Sequence, residues 1–564
     1  MMKWQSRLGV LLFMAYAAGS LAEPAPPKLI LQITVDQLRG DMAGWYLDRM
    51  GEGGFRYLLE QGVVFKDAHH AHANTETVVG HTTLATGAHP AAHGMVANVW
   101  FDRKSGRLAY NIEDARYHIL SAGADIDEAT EIDSSQIIAS TDGRSPANIL
   151  VSTFSDELFL RSNGKAKIFG VSVKDRGAIT LAGHVGKAFW FSKATGEFIT
   201  SSYYYDEYPE WVNAWNQQKK PLAYDGRSWE LLHDRSTYLF GNDDDCPWEM
   251  DISGFGITIP HQYGSASNPS FMNYLTFSPA GDELTLDFAK TVLDAEQLGQ
   301  DEVTDFLAVS FSTTDYVGHI FGPSSLEAED NLLRLDRTLA DLFAYVDQRV
   351  GLANTLIVLS ADHGGPDAPG FLQARGIDSG YVSPDHWDKE PAIAALKEQF
   401  GIGQELILDF FPPYVYLDRQ LIREKGLDQG EVEQAIASEL MNVKGIALAV
   451  SSTALRENQL PDTPLLRAAL NNFNPQRSGD VLVLFQSNYF VNDFHGEIVA
   501  ANHGGAWNYD TFVPVIFAVC DLNPVEVYRR VETVDVARTL SAWMGIKPPS
   551  GCAGKVLVEV LNGK

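Results

Sequence analysis

Short apolar runs and longer amphipathic stretches alternate along most of this chain. Leu29–Val35, Lys167–Val173, Phe306–Phe311, Thr355–Ser360, Val481–Phe485 and Phe512–Phe517 are rich in β-branched and aromatic residues. They show little polar alternation, the pattern of strands covered on both faces, as in a parallel sheet. Helical stretches fall between them: one around Met50–Phe55, one opening near Thr77, and one from Glu327 to Val350. The βα rhythm predicts an α/β fold with a central, mostly parallel sheet flanked by helices. From 177 to about 300 the rhythm lapses and aromatic residues crowd in, as at Phe189-Trp190-Phe191 and Tyr203-Tyr204-Tyr205. That stretch is expected to be an insertion lying over the carboxyl end of the sheet. Residues 405–470 read as a small α+β subdomain of βαβ form, with strands at Tyr414–Leu417 and Ile446–Val450 around a helix at Gln429–Met441. No internal repeat or low-complexity tract interrupts the pattern.

Residues 1–22 have the form of an export signal: Lys3 and Arg7, an apolar core from Leu8 to Gly19, and a small-residue cleavage pattern at Ser20-Leu21-Ala22. The apolar run is short for a membrane span. The expectation is therefore a secreted or periplasmic protein, residues 23–564 forming one catalytic domain without stable membrane insertion. A formal charge of −30 argues against nucleic-acid polymers and anionic membranes as partners. Positive charge for an anionic substrate must then be local. Cys246, Cys520 and Cys552 are too few for a disulfide framework. A Cys520–Cys552 bridge and buried thiols both remain open.

Candidate chemistry gathers where strands end. Asp36, Lys174 with Arg176, Asp315 with His319, and Asp362 with His363 each follow a predicted strand. In open α/β sheets that edge is where ligands bind. Asp315 and His319 are one helical turn apart and can face a single ion. Mixed Asp and His donors suit zinc, and two such ions can clamp the attacking and leaving oxygens of a displacement. Thr77 lies at a helix start, where free N–H groups favour an oxyanion, although a threonine there often serves only as a cap. The turn His93–Asn98 can return Asn98 to the same mouth. His69, His70 and His72 share no single face and read as a strand end. Asn242–Asp245 lacks the glycine and final glutamate of a calcium loop and reads as a solvated acidic turn.

Thr77-Val78-Val79-Gly80-His81, His93–Asn98, Val173–Ile179, Asp315 with His319, Asp362-His363-Gly364 and Asn502-His503-Gly504-Gly505 together resemble the alkaline phosphatase superfamily. The similarity is to its phosphate-irrepressible branch, related to nucleotide pyrophosphatase/phosphodiesterases. It implies two Zn²⁺ per chain, one on Asp315, His319 and His503 and one on Asp36, Asp362 and His363. Thr77 would bridge towards the second ion and act as nucleophile, forming a phosphothreonine. Asn98, Lys174 and Arg176 would hold the non-bridging oxygens. In this branch the Lys-x-Arg pair marks phosphomonoesterases, and the lysine stands where other members place a third ion. The expected activity is hydrolysis of small phosphate monoesters by a monomer or dimer. The alternatives are a phosphodiesterase or nucleotide pyrophosphatase on the same site and, more remotely, a non-catalytic metal-bearing anion-binding protein. Formylglycine sulfatase chemistry does not fit Thr77.

Overall fold

A computed structural model describes residues 26–562 apart from 129, 459, 492, 495–496 and 520–521, so the expected export signal and Cys520 lie outside the described residues. In chain order the elements that position the site are β1 (Leu29–Val35), β2 (Val63–Phe65), α1 (Thr77–Thr86), β3 (Ile168–Ser172) and α2 (Asp175–Ala182). Next come β4 (Lys187–Ser192), β5 (Glu197–Ile199), α3 (Pro279–Ala295), β6 (Asp305–Phe311), α4 (Thr313–Phe321) and α5 (Leu326–Arg349). The last part holds β7 (Thr355–Ser360), β8 (Ile407–Phe411), β9 (Tyr414–Leu417), α6 (Gln429–Leu440), β10 (Ile446–Ser451), β11 (Val481–Phe485), β12 (Val515–Ala518), β13 (Val525–Val527) and α7 (Asp535–Trp543).

The central sheet runs β13-β2-β12-β7-β1-β6-β3-β4-β5. From β7 to β4 every pairing is parallel, whereas β12 is antiparallel to both its neighbours and β5 to β4. The continuous apolar runs follow from burial on both faces. Leu31, Ile33, Val309 and Leu359 pack with α3, α4 and α5 on one side. Ile30, Ala308, Val358 and Phe517 pack with α1 and α7 on the other.

Register then places the chemistry. Thr34 is level with both Ser310 and Ser360, and Ser310 with Ser172. Four adjacent strands, β7, β1, β6 and β3, therefore end along one line, and Asp362, Asp36 and Lys174 follow there. Asp315 stands just past β6, inside α4.

The aromatic stretch begins later than 177. Residues 177–199 belong to α2, β4 and β5 and complete the sheet, so the irregular chain starts only after Ile199. Its rings wedge onto the helix layer: Trp211 and Trp215 pack against Phe288 (ring centroids 5.6 and 5.4 Å apart), Trp215 Nε1–H donates to Asp287 (2.7 Å), and Trp229 Nε1–H donates to Asp330 (2.7 Å). Asp243 and Asp245 are exposed and Asp244 pairs with Arg235 (2.8 Å), in keeping with an acidic turn.

The small subdomain also differs from a simple βαβ unit. It is a four-stranded sheet, β8-β9-β11-β10, in which β11 inserts antiparallel between β9 and β10 and carries the unit on to Phe485. One face, with Tyr414, Tyr416, Leu482 and Leu484, joins the cluster that holds Val78 and Ile179 of α1 and α2. The other is covered by Val432, Ile436 and Leu440 of α6. Cys246 and Cys552 carry free thiols. No helix among the described residues is long and apolar enough to cross a membrane.

Helix α1 is buried along its whole length. Its valines and threonines are poor helix formers, but Thr82, Thr83 and Thr86 satisfy their hydroxyls on carbonyls four residues back (2.6–2.8 Å), and Gly87, at φ 63°, ends it. Packing sets this helix, not propensity. At Gly80 a Cβ would stand 1.8 Å from the Asp362 carbonyl oxygen. Gly80→Ala should therefore lower the unfolding free energy by about 1–3 kcal/mol despite alanine's helix preference. An unchanged urea midpoint would refute that close packing.

Candidate active site

Thr77 is the first residue of α1, and the cap position belongs to Glu76, whose side chain makes no capping bond to the helix. A plain capping role for Thr77 is thereby excluded, and its hydroxyl faces a cavity of about 790 Å³. The turn at 93–98 does return to it: Asn98 Oδ1 accepts the Val78 N–H (3.1 Å), which leaves the Asn98 NH₂ as the donor end at the cavity wall.

Carboxylates and imidazoles converge beside Thr77. Ligand atoms of Asp315, His319 and His503 lie within 4.8 Å of one another, as do those of Asp36, Asp315 and His363. The second group differs from the one expected from sequence: Asp315 enters it, while Asp362 Oδ2 stands 3.5 Å from His363 Nε2. In each histidine Nδ1 faces a backbone carbonyl: Ala501 for His319 (2.9 Å), Thr75 for His503 (2.7 Å) and Gly364 for His363 (2.8 Å). A carbonyl only accepts, so Nδ1 carries the proton and Nε2 presents its lone pair to the carboxylates.

The donor set fits a divalent metal. Asp36 Oδ1 and His363 Nε2 are buried, 3.5 Å apart, and neither makes a hydrogen bond. Burial, then the neighbouring Asp315 and Asp362 charges, pushes the Asp36 carboxyl well above the usual range. Burial pushes His363 down to about 3 and lowers His503 as well, so both rings are neutral donors at neutral pH.

The two cations separate. The Arg176 guanidinium reaches Thr77, with Nη2 3.5 Å from Oγ1, and is gripped by Asp133 (2.7 Å). Lys174 instead sits between Asp36 Oδ2 (2.8 Å) and Asp315 Oδ2, behind Asp315 and not itself lining the cavity. Burial alone would lower its pKa, but Asp315 and Asp36 outweigh that and hold it above normal. Neither cation pairs with Asp175, which is taken by Arg144 (3.0 Å) and the Tyr110 hydroxyl (2.6 Å).

Sequence reasoning missed three neighbours. Asp133 positions Arg176 and is itself held by Ser135 and Gln136. Glu76 accepts the Asn98 N–H (2.5 Å) and an amide proton of Asn74 (3.1 Å), and burial raises its carboxyl to about 7. His81 Nδ1 lies 2.9 Å from the Thr77 carbonyl and 3.0 Å from Asp362 Oδ2. Glu76 and His81 flank Thr77 closely enough to have been suspected. Asp133 comes from a loop with no signal pointing to the site.

The chain belongs to the type I phosphodiesterase/nucleotide pyrophosphatase family, whose model matches residues 30–506, within the alkaline phosphatase superfamily. It is 33% identical over 564 residues to the alkaline phosphatase PafA of Elizabethkingia meningoseptica, covering 99% of each chain. It is 33% identical over 541 residues to the alkaline phosphatase PhoV of Synechococcus elongatus, covering 95% of this chain and 94% of that one. The crystal structure of wild-type PafA superposes with a TM-score of 0.86 at 34% identity, over 95% of this chain and 99% of that one.

The expected strand end at His69–His72 packs behind the site and joins neither ligand group. His70 Nε2 lies 3.0 Å from the Ala361 carbonyl and Nδ1 2.9 Å from the Thr533 hydroxyl, and burial pushes the ring down to about 4, which favours the neutral form at neutral pH. A histidine whose folded pKa is depressed adds stability above its unfolded value, near 6.5, and loses it as pH falls towards the folded one. His70 should account for a loss of roughly 3 kcal/mol between pH 6.5 and 4. Denaturant midpoints across that window should fall more steeply for wild type than for His70→Gln, which keeps a donor and an acceptor but does not titrate. Parallel slopes would remove His70 from the acid response.

Proposed function

We propose that this protein is a metal-dependent phosphate monoester hydrolase with Thr77 as nucleophile. One observation carries the reading: the Thr77 hydroxyl opens a buried helix beside the Arg176 guanidinium, at the edge of two carboxylate–imidazole groups. Two zinc ions, one on Asp315, His319 and His503 and one on Asp36, Asp362 and His363, would lower the pKa of the threonine hydroxyl and neutralise charge on the reacting oxygens. Thr77 Oγ1 then attacks phosphorus as the ester P–O bond breaks, and the departing alkoxide takes up a proton as alcohol. Water displaces the phosphoryl group from Thr77 in a second step, releasing inorganic phosphate.

Arg176 and the Asn98 NH₂ hold non-bridging oxygens, and Asp133 fixes the guanidinium in place. Lys174 offsets the charge of Asp36 and Asp315, and with Arg176 it favours a dianionic monoester over a diester. Kinship with alkaline phosphatases over nearly the whole chain supports the same substrate class. We also read residues 1–22 as an export signal, which places the enzyme outside the cytoplasm.

A diesterase is the second reading. Phe410, Phe411, Ile320 and Val499 give the cavity an apolar wall that suits a second ester substituent. Comparing kcat/KM for a mono-aryl and a bis-aryl phosphate on zinc-loaded protein separates the two. Monoester preference should be strong in wild type. It should collapse in Lys174→Ala/Arg176→Ala, with monoester turnover falling by roughly 10²–10³-fold per stabilising group lost. A diester preference, or unchanged discrimination in the double variant, would transfer the assignment to the second reading. Acid-quenched protein incubated with substrate should carry phosphate on Thr77 by peptide mass mapping, and Thr77→Ala should carry none.

A further inference from the structure

Gln37 follows Asp36 directly and holds a left-handed backbone, with φ at 64°. A non-glycine side chain is strained in that region, and buried strain of this kind concentrates at functional sites. Glutamine is 3% exposed here. Its backbone N–H donates to Asp362 Oδ1 (3.1 Å), and its side-chain amide donates to Asp315 Oδ1 (3.1 Å).

Neighbouring elements leave room for that amide. At Gly318, between Asp315 and His319 on α4, a Cβ would stand 1.7 Å from Gln37 Oε1. At Gly365, two residues past His363, it would stand 3.0 Å from Gln37 Cδ. Glycine at position 37 would adopt the same backbone without strain. The side chain is therefore what the site requires.

We infer that Gln37 is a positioning residue that orients one carboxylate of each metal-ligand group, Asp362 through its backbone and Asp315 through its amide. Hydrogen bonds to ligating carboxylates set their orientation and so their affinity for the ion. The inference rests on the two-ion reading above. It makes the two groups separable: Gln37→Gly keeps the N–H to Asp362 and removes only the amide to Asp315. Gly318→Ala reaches the same end from the opposite side, because its methyl displaces the amide while alanine favours the helix.

The test is chelator competition on zinc-loaded, full-length protein, following release of each metal equivalent, with His319→Ala identifying the phase that belongs to the Asp315 group. Gln37→Gly and Gly318→Ala should each weaken that phase about 10–100-fold and move the other, which Asp315 borders but Asp36, Asp362 and His363 hold, far less. A purely structural role for Gln37 would weaken both phases alike. That result, or two unchanged phases, would overturn the inference. Wild-type protein releasing fewer than two equivalents would overturn the two-ion reading beneath it.

Discussion

Buried negative charge at the ends of adjacent strands is the constraint around which this molecule is built. Asp36 and Asp362 are fully buried, and Asp315 is nearly so at the edge of the cavity. Isolated carboxylates in such a place would take up protons or unfold the chain. The parallel register brings them together, the Nδ1 bonds of three histidines point lone pairs at them, and Lys174 lies between two of them. Each local peculiarity answers to that convergence: the strained backbone of Gln37, the missing side chain of Gly80, and the glycines after His363 and His503. The core beneath can be ordinary because the unusual demands are confined to one rim.

Much of this was legible in the sequence because burial on both faces writes itself as unbroken apolar runs. β1, β3, β6 and β7 are visible in that way, and each is followed by residues with few uses other than chemistry. Helix α1 was less readable. Its valines and threonines suit a strand, and burial along its whole length holds it as a helix. The 177 boundary failed for a related reason: Phe189, Trp190 and Phe191 of β4 and Phe198 of β5 are the same kind of aromatic residue as those of the irregular chain that follows, so composition could not separate them. Antiparallel insertion of β11 between β9 and β10 was equally hidden, since pairing across 30 or more residues leaves no local trace.

The candidate site divides in the same manner. Residues carrying their own signal, such as Thr77, Asp315 with His319, or Asp362 with His363, could be read one by one. Residues that act through another residue could not. Asp133 matters because of where Arg176 lies, and Glu76 because of Asn98. Lys174 shows the converse: its position at a strand end was readable, but its partners, Asp36 and Asp315, are a product of tertiary packing. Position along the chain foretells chemistry better than it foretells partnership.

The donors that form the two groups are drawn from Asp36 near one end of the described chain and His503 near the other, with the small subdomain folded in between. This gives the centre a history as well as a shape. A growing chain holds no complete donor set until it has passed His363, and only one of the two until it reaches His503. The centre is complete only when His503, in the last third of the chain, has docked beside Asp315 and His319, so the end of folding and readiness for chemistry are one event in time.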